Sequence, residues 1–203
     1  MNREELLQRV RTSLGQAAPA TVPHPAPPQP PLAGAALIAR FVSRLEELEV
    51  TIVRCAGRSA AHESLSRLAA ERGWRSVCGP ASLHLPTLAG LWTDDPRGAD
   101  IGLAEADWAI AATGSVVILN GGPAARSHSL LPPVSGIFVA ESRVLPYLGD
   151  VRRRLTALPG LPACVSIISG PSNTADINAT RCVGVHGPGE VIYPDGLELI
   201  TRL

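Results

Sequence analysis

Short polar side chains follow a strand-like run at residues 166–178, with the sequence SIISGPSNTADIN. A glycine at position 170 lets the backbone approach a ligand closely. Free N–H groups at the start of a following helix, with hydroxyls nearby, suit a carboxylate or a phosphate. We therefore predict that an anionic ligand binds here. The candidate ligand-binding residues are Ser169, Gly170, Ser172, Asn173 and Thr174.

The same stretch also has a structural interpretation. Asn173 is followed three residues later by Asp176, which fits a variant capping box at the start of a helix. Asp176 would repel a bound anion unless it faces away, caps the helix, or is itself the acid/base group of a reaction. Both interpretations place the stretch at the end of a strand and the beginning of a helix.

A second polar interruption lies between two apolar runs in IAATGSVVIL, at Thr113, Gly114 and Ser115. A turn at this point would present backbone N–H groups to a ligand, so these three residues are further candidate ligand-binding residues. The alternative is a hairpin or bulge in which Gly114 adopts a positive φ.

Two more stretches hold candidate residues. In ARSHSLLPP, Arg126 can clamp a carboxylate with two parallel hydrogen bonds, and Ser129 is a second candidate there. The alternative for Arg126 is an exposed loop arginine, and we expect His128 to face solvent. In VGVHGPGE, His186 at a strand end is either a hydrogen-bonded structural residue or a catalytic acid/base paired with Asp176. No second His or Cys lies at ligand spacing, so no metal site is predicted.

The elements that position these residues follow from hydrophobic periodicity. Helices are predicted over residues 35–49, 59–73 and 143–158, and the intervening apolar runs are strand-like. Helices and strands that alternate at this spacing imply βαβ units and a parallel sheet. The predicted fold class is α/β, a doubly wound, mainly parallel open sheet with helices on both faces. Ligands of such folds lie outside the carboxyl ends of the strands. Residues 81–104 are less clear, with a short helix near 85–92 and a turn at 93–100.

The chain divides into three segments by composition. Residues 1–15 are predicted to form an amphipathic helix, residues 16–34 a proline-rich extended linker, and residues 35–203 one α/β domain. The tethered helix can pack on its own domain, on a second copy in a homo-oligomer, or on a partner protein.

Composition excludes several classes of function. The 18 basic residues balance 18 acidic ones, which argues against nucleic-acid binding. None of the 18 is lysine, so Schiff-base chemistry, a pyridoxal phosphate anchor and a P-loop lysine are all excluded. Four dispersed cysteines form no C-x-x-C motif for an iron–sulfur cluster or zinc ribbon. The N-terminus lacks a secretory signal and no apolar run is long enough for a membrane span, so we expect a cytoplasmic protein.

Four motifs occur in an order that resembles one known family. ADWAIAATGS (106–115), R-x-x-SLLP (126–132), SGPSNTADI (169–177) and GVHGP (184–188) are similar to the LutC/YkgG lactate-utilisation family, also called the LUD domain. The resemblance implies a fold of the NagB/RpiA/CoA-transferase-like group. It also implies a role in an iron–sulfur system that oxidises L-lactate to pyruvate. This chain would then be the cluster-free accessory subunit, with no cofactor of its own. It would bind a small carboxylate or organise partner subunits that carry the clusters.

The sequence departs from the family pattern at three polar positions. Ala112 stands where members usually have an acidic residue, Asn178 where glutamate is common, and Ser135 with Gly136 where histidine is frequent. These losses, and the missing lysine, weaken the prediction of transferase or isomerase chemistry. Two alternatives to the accessory subunit stay open. One is a stand-alone transferase- or isomerase-like enzyme that acts on a small anionic metabolite. The other is a structural or regulatory protein with a degenerate cleft.

Overall fold

The computed structural model describes residues 2–14, 30–120, 123–175 and 181–195. The chain divides into two compact units, Met1–Pro31 and Leu32–Leu203. The first unit contains helix α1 (Arg3–Leu14), which begins with a reciprocal pair of hydrogen bonds between Asn2 and Glu5. Residues 16–29, which are most of the predicted proline-rich linker (16–34), lie outside the described residues.

Within the described residues, the second unit contains four further α-helices, three short 3₁₀ helices (Ala81–Leu83, Pro86–Leu91 and Glu141–Arg143) and all of the strands. The α-helices are α2 (Gly34–Glu47), α3 (Arg58–Arg72), α4 (Pro123–Leu130) and α5 (Leu148–Thr156). The strands are β1 (Thr51–Arg54), β2 (Val77–Cys78), β3 (Ile101–Glu105), β4 (Trp108–Ile110), β5 (Ser115–Asn120), β6 (Val134–Phe138), β7 (Val144–Leu145), β8 (Cys164–Ile168), β9 (Asn173–Ala175), β10 (Arg181–Val183) and β11 (Glu190–Asp195). No helix within the described ranges is both long and apolar enough to cross a membrane.

Five parallel strands form the central sheet, in the order β1-β11-β6-β3-β2. Successive residues of β1 point to opposite faces, as the pleat requires. Ile52 packs with the cluster that holds Phe41 of α2, and Val53 packs with the cluster that holds Leu65 of α3. The two helices therefore cover opposite faces, and the predicted α/β class with a mainly parallel sheet is confirmed.

A second sheet, in the order β7-β4-β5-β8, was not predicted from the sequence. β5 pairs antiparallel with both β4 and β8, and β7 pairs parallel with β4. Val116 and Val117 are neighbours in β5 and point to opposite faces of this sheet. Val116 packs in the core beneath α2, and Val117 packs against Val151 of α5. α2 therefore contributes to a core that both sheets share.

Helix α4 lies close against the central sheet at a glycine. A Cβ atom added to Gly102 of β3 would come within 1.7 Å of the carbonyl oxygen of His128. Only glycine allows the backbone of α4 to approach β3 this closely. The eight residues of α4 show no apolar periodicity, which is why the sequence did not predict this helix.

Two predicted elements are wrong. Asn173 lies in β9 and pairs with Val183 of β10, so the predicted helix start and its capping box are replaced by an antiparallel strand pair. Residues 143–158 do not form one helix, because Pro146 disfavours helical backbone in the residue before it. Val144 and Leu145 instead form β7, and α5 begins after Tyr147, which pairs with Asp150 in a capping box.

Candidate functional site

Three of the predicted polar residues form a chain of hydroxyl groups. The Thr113 Oγ1 lies 2.7 Å from the Ser115 Oγ, which in turn lies 2.7 Å from the Ser169 Oγ. Ser115 is only 3% exposed. The sequence motifs at 113–115 and 169–170 therefore meet, at the turn between β4 and β5 and the end of β8.

The turn itself has the hairpin geometry that the sequence offered as an alternative. Gly114 has a φ of 67°, and a Cβ atom there would lie 2.9 Å from the Cβ of Arg44 in α2. The N–H of Gly114 donates to the carbonyl of Ile110. That donor is used within the turn, so it is not free for a ligand.

A second group of predicted residues surrounds Ser172. Its backbone N–H donates to the carbonyl oxygen of Pro188 over 2.8 Å, and its side-chain oxygen accepts from the backbone N–H of His186 over 3.3 Å. His186 and Asn173 are exposed, and Thr174 is half-buried. Asp176, the partner predicted for His186, lies outside the described residues. A catalytic role for Asp176 and His186 therefore stays a prediction.

Arg126 and Ser129 are carried by α4. Arg126 is exposed, whereas Ser129 is buried and donates from its hydroxyl to the carbonyl oxygen of Arg126 over 3.3 Å. The expectation that His128 faces solvent is wrong. Its side chain is half-buried, its Nδ1 is buried with no hydrogen-bond partner among the described residues, and burial lowers its pKa.

A different set of residues lines a crevice of about 330 Å³ at the carboxyl ends of β3 and β6. This is the position where open α/β sheets bind their ligands. Apolar walls come from Phe138, Val139 and Ala140, at and just after the end of β6. The charged lining consists of Arg58, Glu105 and Arg143.

The two arginines converge on the glutamate. The Nη2 of Arg58 lies 3.1 Å from the Oε2 of Glu105, and the Nη2 of Arg143 lies 3.6 Å from the Oε1. A third contact fixes Arg143, whose Nη1 donates to the carbonyl oxygen of Ala106 over 3.0 Å. The three charged groups carry a net charge of one positive unit, which suits a monoanionic ligand.

Each charged residue is positioned by the end of a secondary-structure element. Arg58 is the first residue of α3, Glu105 is the last residue of β3, and Arg143 closes a short 3₁₀ helix after β6. The sequence analysis missed this set of residues. No local signal in the sequence marks it, because Arg58, Glu105 and Arg143 are single charged residues in three separate segments.

His62 lies one helical turn beyond Arg58, close to the crevice. Its ring packs edge-on against Phe138, with ring centroids 5.8 Å apart. The Nε2 is buried and has no partner among the described residues. Burial, and to a lesser degree the positive charge of Arg58, lower the pKa of His62 below its ordinary value of 6.5. The imidazole is therefore neutral at pH 7.

This arrangement can bind an anion, but the described residues do not assemble a metal site. No group of three or more His, Cys, Asp and Glu side chains within the described ranges is placed to hold a metal ion. A guanidinium offers five N–H donors in a planar fork that matches a carboxylate. The crevice therefore has the chemistry of a site for a small carboxylate.

Comparison with known proteins identifies the family. The family model of the LUD domain matches residues 90–193, about half of the chain. The uncharacterized protein YkgG of Escherichia coli is 32% identical over 171 residues, which is 71% of this chain and 74% of that protein. The chain belongs to the LUD domain family. The resemblance inferred from the four motifs is thereby confirmed.

Two further comparisons report a similar sequence and a similar structure. Lactate utilization protein C of Halalkalibacterium halodurans is 44% identical over 99 residues, which is 47% of this chain and 43% of that protein. The match thus spans less than half the length of that relative. The crystal structure of a DUF162 family protein from Deinococcus radiodurans is 19% identical, has a TM-score of 0.63, and covers 80% of this chain and 98% of its own. At this identity the likeness shows the fold.

Proposed function

We propose that this chain is a cluster-free component of a lactate-utilisation system, and that it binds a small carboxylate in the crevice beside Glu105. Two relatives support the role in lactate utilisation by their names. They are lactate utilization protein C of Halalkalibacterium halodurans and lactate utilization protein C 1 of Bacillus mycoides. The observation that carries the ligand class is the convergence of Arg58 and Arg143 on one carboxylate.

The ion pairs in the crevice leave room for a ligand. The side chains of Arg58, Arg143 and Glu105 are 48%, 42% and 37% exposed, so their mutual attraction is screened by solvent and weak. The contacts described for Arg58 use one of its five N–H donors. A ligand carboxylate can therefore take donors from both guanidinium groups without first breaking a buried ion pair.

Among the residues that the structure describes, no group of three or more His, Cys, Asp and Glu side chains is placed to hold a metal centre. The four cysteines of the chain are all free, with Cys55 and Cys78 buried and Cys164 and Cys182 more exposed. In this proposal, the electrons of lactate oxidation pass to clusters on separate iron–sulfur subunits. This chain binds the hydroxy acid or holds those subunits together.

Direct binding tests the ligand class. We expect L-lactate to raise the melting temperature of the purified protein, because a ligand that binds only the folded state stabilises it. Arg58→Ala combined with Arg143→Ala should abolish the shift. Arg67→Ala removes another exposed arginine of α3, nine residues and so roughly 14 Å further along the helix than Arg58, and should leave the shift intact. A shift that survives the double substitution would place the ligand elsewhere.

Genetics and co-purification test the role in the cell. We expect a strain that lacks this gene to grow poorly on L-lactate, and the wild-type chain to restore growth. A tagged chain from lactate-grown cells should retain polypeptides that contain iron and acid-labile sulfide. Normal growth of the deletion strain on L-lactate contradicts the proposal, and so does turnover by the isolated chain, which instead indicates a stand-alone enzyme.

A further inference from the structure

We infer that Glu105 makes the crevice selective for a 2-hydroxy acid over the corresponding 2-oxo acid. This inference rests on the proposed binding of a carboxylate beside Arg58 and Arg143. It starts from the position of Glu105, which lines the cavity between the two guanidinium groups that would hold the ligand.

The carboxylate of Glu105 has acceptor capacity left. An ionised carboxylate only accepts hydrogen bonds, and its two oxygens offer about four lone-pair sites. Arg58 contacts one oxygen at 3.1 Å and Arg143 approaches the other at 3.6 Å. The remaining acceptor sites belong to a side chain that is 37% exposed and lines the cavity. A ligand group that donates a hydrogen bond is complementary to these sites.

The position of the ligand hydroxyl follows from its covalent structure. In a 2-hydroxy acid the hydroxyl is on the carbon next to the carboxylate. If both arginines hold that carboxylate, the hydroxyl lies beside Glu105 and can donate to it. The oxygen on carbon 2 of a 2-oxo acid has no hydrogen to donate. It would therefore lie next to the carboxylate of Glu105, which is also a hydrogen-bond acceptor. The oxo acid loses one charge-assisted hydrogen bond and leaves repelling lone pairs together.

The rest of the crevice defines the size and charge of the ligand. One glutamate and two arginines give the crevice a net charge of one positive unit. A monocarboxylate neutralises this charge, whereas a dicarboxylate would leave an excess negative charge. The side chains of Phe138, Val139 and Ala140 form the apolar part of the wall, where a methyl group or short alkyl chain can pack. The ligand class is therefore a short-chain 2-hydroxy monocarboxylate.

This selectivity favours release of an oxidised product. The oxo acid has no hydroxyl hydrogen and therefore no hydrogen bond to Glu105, so it dissociates from the crevice more readily than the hydroxy acid does. A component that binds the hydroxy acid and not the oxo acid is less inhibited when the oxo acid accumulates.

Calorimetric titration with three acids tests the inference. The probes are L-lactate, pyruvate, and propionate, which lacks an oxygen on carbon 2. We expect the wild-type protein to bind L-lactate about tenfold to a hundredfold more tightly than pyruvate, the range for one hydrogen bond to a charged group. Propionate should also bind more weakly than L-lactate. These wild-type measurements require no variant to fold.

The matched variant is Glu105→Gln, which keeps the shape of the side chain and adds an amide donor. We expect it to bind L-lactate and pyruvate with affinities within about threefold of each other, because the amide can donate to the oxo oxygen. Circular dichroism confirms that the variant is folded. A preference for L-lactate that persists unchanged in Glu105→Gln overturns the inference.

The outcomes separate this inference from the proposal on which it rests. If the three acids bind the wild-type protein equally, and Arg58→Ala weakens all of them, the carboxylate site stands and the role of Glu105 is wrong. If none of the three binds, both are wrong.

Discussion

The hydroxyl oxygen of Ser115 lies 2.7 Å from that of Ser169, although the two residues are 54 positions apart in the chain. This hydrogen bond joins the β4–β5 turn to the end of β8. The turn packs on Arg44 and Leu48, at the C-terminal end of α2. Ser142, which lines the proposed carboxylate site, lies near the N-terminal end of α2. About ten residues of helix, roughly 15 Å, separate the two places, so the hydroxyl chain is not part of the crevice.

Replacing the central hydroxyl should destabilise the protein. We expect Ser115→Ala to lower the free energy of unfolding by about 1–2 kcal/mol, because it removes a buried group that bonds to both Thr113 and Ser169. Ser169 is exposed, and Ser169→Ala should cost less because water can replace its bond. Urea unfolding of the two single variants and of the double variant gives the coupling free energy between the two hydroxyl groups. A coupling of zero would mean that this hydrogen bond contributes nothing to stability.

Two glycine substitutions should change stability in opposite directions. Gly114→Ala places a Cβ atom 2.9 Å from the Cβ of Arg44, at a φ of 67°, so we expect a loss of about 1–3 kcal/mol. Gly149 lies in the first turn of α5, and apart from its chain neighbours and the backbone of its own helix no atom lies within 4 Å of an added Cβ. Gly149→Ala should therefore be neutral or stabilising by about 0.5 kcal/mol. Thermal and urea unfolding check both values, and a tolerated Gly114→Ala would contradict the close packing of this turn on α2.

The parts of the fold that the sequence predicted are those with a strong periodic pattern. Phe41 and Leu45 in α2 are one turn apart and both buried, so their spacing alone was enough to assign the helix. The β9–β10 pair was missed because Asn173 belongs to a short polar segment that fits a helix cap and a strand equally well. Its pairing with Val183 is a contact between segments, which local propensity does not encode.

The crevice could not be predicted because its charged residues come from three distant segments. Arg58, Glu105 and Arg143 are each a single charged residue in an ordinary local context, and nothing in their spacing distinguishes them from solvated surface charges. They converge only because the order of strands in the sheet places the ends of β3 and β6 side by side. The residues at 113–115 and 169–172, by contrast, were found because clustered glycines and hydroxyls are conspicuous in the sequence.

Stability should fall as the solution becomes more acidic, in part because of His62. Burial and Arg58 lower the pKa of His62 in the folded protein below 6.5, its ordinary value. In the unfolded chain the pKa of His62 is its ordinary value, 6.5. Between this value and the lower pKa of the folded protein, the unfolded chain binds more protons than the folded protein. The stability that His62 provides is therefore complete above pH 6.5 and is lost as the pH falls towards the pKa of the folded state. In His62→Gln, the dependence of the unfolding free energy on pH should be shallower in this range.

Nuclear magnetic resonance measures the pKa of His62 in the folded protein directly. The ring signals should titrate below pH 6.5, and His128, whose pKa is also lowered by burial, should behave in the same way. A folded-state pKa of His62 at or above 6.5 would contradict the environment described here.

Binding of L-lactate should weaken as the salt concentration rises. Arg58 and Arg143 are close to half-exposed, so added ions screen their attraction for a carboxylate. Arg58→Lys keeps the charge but loses the planar fork of donors, and we expect it to weaken binding several-fold at every salt concentration. Calorimetry at low and high salt checks both effects, with Arg67→Ala as the control. An affinity independent of salt would indicate that charge does not hold the ligand.

The place of β11 between β1 and β6 has a consequence for how the protein is made in the cell. β1 leaves the ribosome early, but its neighbour in the central sheet is synthesised only when residues 190–195 are added. Until then the edges of β1 and β6 are open and can pair with strands of other nascent chains. The yield of folded protein should therefore depend on how well molecular chaperones shield these edges during translation, and not only on the stability of the finished fold.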